Sequence, residues 1–165
     1  MALKGDRHEL DTDISYFMNE VGNRGGVVVA STQGSGAAMD QSVQLCTLDV
    51  PTSGAKALGI LLNDMVNYDQ TRQHINFYKD EVQKGSKVTI LRKGWIVTDQ
   101  IASGITITAG DTAYAEAKTG ATATGQGRIT NVAHATGGVA VTPKVGQFLS
   151  KADEDGYAKV AVNLP

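Results

Sequence analysis

At 165 residues the chain has the length of one domain with at most an extended arm, and a chain this long buries about 70% of its unfolded surface without help from a disulfide or a metal. Its 15 basic and 17 acidic side chains leave a formal charge of −2, too weak a field to hold a polyanion, which argues against direct nucleic-acid binding. Cys46 is the single cysteine; it closes no intrachain disulfide, builds no thiolate metal site, and reads as a small buried hydrophobe.

The first residues, Met1 to Arg7, run straight into charge and have no signal-peptide layout. The longest apolar stretch, Ala57 to Leu62, is far short of the roughly 20 residues of a spanning helix. The expectation is a soluble protein, made in a cytoplasm and meeting no membrane. Leu10, Ile14, Phe17, Met18 and Val21 recur at helical spacing and would line one side of a helix; the stretch Asp13 to Glu20 serves equally as an extended arm paired to another chain. Either way it presents apolar residues ahead of the break Gly22-Asn23-Arg24-Gly25-Gly26. Residues 1–26 are therefore set apart as an N-terminal arm, strand-swapped or helical, and 27–165 as one β domain. Leu10, Ile14, Tyr16, Phe17 and Met18 become the candidate contacts with a partner, and removal of everything up to Val21 is expected to leave the β domain folded.

Within the β domain the first loop is Ser31 to Gln41, followed by ALGILL at 57–62, a continuous apolar run of strand length that suits burial on both faces. Arg72 to Glu81 alternates weakly and reads as an exposed or edge strand. KVTIL (87–91), WIVT (95–98) and ITIT (105–108) are three short β-branched strands separated by Gly-containing breaks. Residues 109–127 and 133–143 read as loops. At the end, Val145 to Ser150, a turn over Asp153-Glu154-Asp155-Gly156, and the alternating run Tyr157 to Leu164 make a hairpin. The whole is a small all-β barrel or sandwich whose core, with aromatics at only 5%, is filled by Val, Ile, Leu and Ala.

The residues name no reaction. His8-Glu9-Leu10-Asp11-Thr12 opens like a zinc motif but ends in Thr where the second His is needed. Counted as a calcium loop, Asp153 to Asp155 reaches Leu164 at the twelfth position, which has no side-chain oxygen. The Gly-rich segments at 34–36 and 120–125 lack the helix or the lysine that phosphate binding requires. No nucleophile elbow is present, and the carboxylate pairs Asp11/Asp13 and Asp80/Glu81 read as solvated. No cofactor is expected. Five basic residues, Lys79, Lys84, Lys87, Arg92 and Lys93, face only Asp80 and Glu81 locally; they form either a solvated strand face or a patch that docks on an acidic protein surface.

The segment KALGILLNDMVNYDQTRQHINFYKDEVQKGSKVTILRKG (56–94), the following WIVTDQI, and the closing VGQFLSKADEDGYAKVAVNLP resemble the head decoration, or capsid cement, proteins of tailed bacteriophages, particularly those of podovirus and cyanophage type. The resemblance implies a compact, β-tulip-like domain with an N-terminal arm, seated on the outer face of the icosahedral shell. It implies a major capsid protein as partner, bridged between neighbouring subunits, and a homo-oligomer, dimer or trimer, on a local symmetry axis. It carries over no catalytic residue. A receptor- or carbohydrate-binding module of a phage tail or adhesin is the alternative; it would need an open aromatic platform, and Trp95, the one tryptophan, sits in a strand signal where burial is expected.

Overall fold

The computed structural model describes residues 3–32, 44–51, 55–65, 81–117, 127–133, 135–136, 139–140 and 142–165. Among them there is no helix; the elements are strands joined by turns. The predicted edge strand at 72–81 lies, apart from its last residue, outside the described residues, as does most of the loop at 31–41.

Five strands close on themselves. β2 (Phe17–Met18) pairs with β5 (Leu45–Thr47), β5 with β4 (Val27–Thr32), β4 with β6 (Ala57–Met65), and β6 with β8 (Lys87–Thr98), which returns to β2. Closure removes the free edges that an open sheet of this size would leave. Inside the ring, every strand contributes to one apolar cluster: Met18 from β2, Cys46 from β5, Val28 from β4, Leu61 from β6, and Val88 and Ile90 from β8.

β8 is longer than the ring needs. Beyond it, residues 93–98 pair with β14 (Ala158–Asn163), which leads through β13 (Lys144–Phe148) and β9 (Thr112–Ala115) to β10 (Ile129–Thr130). This second sheet folds back over the outer face of β4, β6 and β8, and a larger core fills the gap: Val27, Val29, Ile60, Leu62, Leu91, Ile96, Ile129, Val145, Phe148, Val160 and Val162. Two cores on opposite faces explain the continuous apolar runs. In β4, Val27 and Val29 face the outer core and Val28 the ring; in β6, Ile60 and Leu62 face the outer core and Leu61 the ring. ALGILL is thus a strand buried on both faces, as its pattern predicts.

The C-terminal hairpin is also as predicted. β13 and β14 pair antiparallel, and the connection is held by Asp153, whose carboxylate accepts from the backbone N–H of Asp155 and Tyr157 at 3.1 and 2.7 Å, with Gly156 at φ +82°.

Three expectations are revised. KVTIL and WIVT are not two strands but one twelve-residue strand. Gly94 is a crossing point within it: a Cβ there would lie 1.9 Å from the His8 carbonyl oxygen, so glycine admits a neighbouring backbone rather than a turn. ITIT forms no strand; Ile107 still plugs the core at 6% exposure, and the main chain is satisfied by side chains, Asn131 donating to the Thr106 carbonyl and Asp111 accepting from the Thr108 N–H, both at 2.9 Å. The span 109–127 contains β9, and 133–143 contains the small hairpin β11 (Ala135–Thr136) with β12 (Val139–Ala140).

The N-terminal stretch is strand rather than helix. β1 (His8–Asp13) runs antiparallel to β8 from Trp95 to Ile90, and β2 continues on the same side of β8 as far as Lys87. Leu3 is buried in the outer core at 5% exposure, and Met18 is fully buried in the ring. Residues up to Val21 therefore supply both cores, which argues against the expectation that the β domain folds without them.

Candidate functional site

The residues proposed as contacts separate by position. Leu10 is 71% exposed, Ile14 43%, and Val21, which sequence reasoning left off the set of contacts, 48%. Tyr16 and Phe17 are half-buried, Tyr16 lying against the ring core, where desolvation raises its phenol above the usual range. Met18 is withdrawn as a surface contact: its side chain is enclosed, with the Cys46 Sγ 3.9 Å from its Sδ.

Leu10 is exposed for a local reason. The register of β1 against β8 shifts between Glu9 and Asp11, so Leu10 has no partner on β8 and stands out at a bulge. Around it are Glu9, Asp11 and Asp13, with Asp6 just before. The alternating polar sequence HELDTD, set aside as a failed metal motif, is the signature of this strand: five of its six residues are exposed on either face, as at a sheet edge.

Four of the five basic residues lie among the described residues. Lys79 lies outside the described residues. Lys84 is exposed on the turn over Gln83 to Ser86, and Lys87 is half-buried at the start of β8. Arg92 spends its guanidinium donating to the Pro165 carbonyl, which ties down the C-terminus. Lys93 sits opposite Asp11 on β1, so the structure sets it within an acidic neighbourhood.

A polar layer that sequence reasoning missed fastens the N-terminus to the outer sheet. Lys4 donates to Asp153 at 2.9 Å and its ammonium lies 4.1 Å from the Tyr157 ring centre. The hydrogen bond from Lys4 holds the Asp153 carboxyl below the usual carboxylate range and raises the Lys4 ammonium in turn. One strand step on, Lys159 lies 3.6 Å from Asp6 and 3.5 Å from the centre of the Trp95 ring, beside which the His8 ring stacks at 6.2 Å. Trp95 is half-buried rather than buried, and the chain's own Lys159 ammonium occupies a face of its ring that a sugar would need.

Burial pushes the Cys46 thiol up to about 12, leaving almost no thiolate at neutral pH. A thiol-reactive disulfide reagent should leave the native protein unlabelled for hours at pH 8 and label one equivalent at once in denaturant; rapid native labelling would show that the ring opens. Among the described residues no three His, Cys, Asp or Glu side chains converge as a metal site, and no helix is long and apolar enough to cross a membrane. His74 and His134 lie outside the described residues.

Set against known proteins, no curated sequence matches significantly. The family model for the structural cement protein (E217 gp24/Pam3 gp6) matches residues 7–163. That span takes in the ring core, all of the outer core except Leu3 and Leu164, β1 and the C-terminal hairpin, and the chain belongs to this family of phage structural cement proteins, virion components associated with the capsid.

Proposed function

We propose that this protein coats the outer surface of the assembled phage capsid and stabilises it by bridging neighbouring major capsid subunits, acting as a dimer or trimer. The observation that carries this reading, beside family membership, is the run of exposed apolar side chains at Leu10, Ile14 and Val21. Leu10 and Ile14 sit on a segment anchored to the fold at both ends by Leu3 and Met18, and Val21 follows directly after that second anchor, so that contact made there is transmitted to a rigid body. A protein that binds the joined shell and not its separated subunits shifts the equilibrium toward assembly by mass action, and many copies multiply a small gain per site. The occupied Trp95 platform weighs against the carbohydrate-binding alternative.

The test is sedimentation of the purified chain with empty assembled shells and, separately, with unassembled major capsid protein, followed by imaging of the shells. Saturable binding to shells alone, in groups that straddle subunit boundaries, is the expected result. Equal binding to unassembled subunits, or copies centred within single subunits, would overturn the bridging role.

A further inference from the structure

We propose that the outer edge of β1 is a strand-docking site for an extended, basic segment of the capsid shell. The proposal rests on the capsid-coating reading above and names the partner's chemistry.

β1 pairs with β8 along one edge, and among the described residues nothing pairs with the other. Such an edge offers a row of main-chain N–H and C=O groups to any extended chain that approaches. Proteins ordinarily blunt an exposed edge with charges and bulges, and β1 has both. Its bulge, however, carries Leu10 at 71% exposure, an apolar side chain where a blunted edge would carry a polar one. The acids are in excess: Glu9, Asp11 and Asp13, with Asp6 just before, outnumber Arg7, paired with Glu9 at 2.8 Å, Lys93, opposite Asp11 on β8, and Lys159, 3.6 Å from Asp6, so that Asp13 is left as the surplus charge.

This combination selects the occupant. A second copy laid parallel and in register along the edge would set carboxylates against the same carboxylates, and like charges directly opposite one another are destabilising. A strand carrying Lys or Arg would meet them favourably, form main-chain hydrogen bonds along β1, and remove Leu10 from water. The excess of carboxylates therefore favours a basic partner over a second copy.

Hydrogen exchange on the full chain, free and bound to empty assembled shells, tests this together with two variants, Leu10→Ser and the double neutralisation E9Q/D11N. Amides of residues 8–13 should slow by about tenfold or more on the shell, as expected when an edge gains a hydrogen-bonded neighbour. Both variants, folded by circular dichroism, should bind about tenfold more weakly. The loss in E9Q/D11N should shrink as salt is raised, and that in Leu10→Ser should not. Wild-type binding with unchanged exchange in β1, or variants that bind like wild type, would overturn the proposal. Protection that grows with concentration in the free chain would assign the edge to a second copy and overturn it equally. A wild-type chain that fails to bind shells at all would remove the capsid-coating reading itself.

Discussion

A chain that begins at Gly22 should fail to fold. The deletion removes Met18, fully buried among Val28, Cys46, Leu61 and Ile90, and Leu3, buried in the outer core; loss of a buried Leu or Met side chain costs about 2–5 kcal/mol. It also takes β2 out of the ring, and with it main-chain hydrogen bonds on both sides: Phe17 to Gln44 and Asn19 to Cys46 toward β5, Met18 to Ser86 and Val88 to Tyr16 toward β8. The groups left behind on β5 and β8 then face an opened apolar interior, where an unmade hydrogen bond costs about 1–3 kcal/mol each. The sum matches or exceeds the roughly 5–15 kcal/mol that holds a domain of this kind together. Calorimetry should show no cooperative transition in the truncated chain, while Leu10→Ser, which touches neither core, melts within a few degrees of wild type. A truncated chain with a normal transition would show that β2 is dispensable for closure.

Gly59→Ala should lower the melting temperature sharply. Gly59 lies in β6 at φ +156°, and an added Cβ would fall 2.2 Å from the Leu91 carbonyl oxygen and 2.5 Å from the Ile90 Cγ2. The first is backbone of β8 and the second a side chain with no exposure, packed in the ring, so neither can give without parting β6 from β8. Overpacking of this kind costs about 1–3 kcal/mol, and a side chain held at an unfavourable φ adds about 1–3 kcal/mol. At about 2–4 °C for each kcal/mol in a chain of this size, the melting temperature should fall by roughly 5–20 °C. Gly156→Ala separates the two causes, because its φ of +82° carries the strain with open space around it; its loss should be no more than about 1–2 kcal/mol. Equal losses at the two positions would show that β6 and β8 have room to move apart.

The parts of the fold written in local patterns were legible. ALGILL announces burial on both faces, the alternation from Tyr157 to Leu164 announces a half-buried strand, and Asp153 with Gly156 announces the turn before it. What the sequence hid was pairing between distant segments. Gly94 reads as a break because nothing local says that the backbone of His8 will lie against it. Leu10, Ile14, Phe17, Met18 and Val21 have helical spacing by coincidence: Leu10 and Met18 point to opposite fates because a bulge in β1 expels the first while ring closure encloses the second. Ile105 and Ile107 carry strand composition but meet no free edge, so they serve the core from a loop. The partners of the basic run were hidden for a similar reason: Arg92 is claimed by the C-terminus and Lys93 faces Asp11.

β8 borders β1, β2, β6 and β14, drawn from both ends of the chain. Its position governs how the molecule can come together in time. The ring strands all lie within residues 17–98 and can pair first, but the outer core lacks its full complement of partners until β14, the strand nearest the C-terminus, is in place. Folding dominated by such distant pairings is slow, on the order of milliseconds to seconds. An emerging chain must meanwhile carry the double-faced apolar strands β4 and β6 exposed until β8 and β14 arrive. The interval before that final docking is when the protein is most open to misassociation with its own copies.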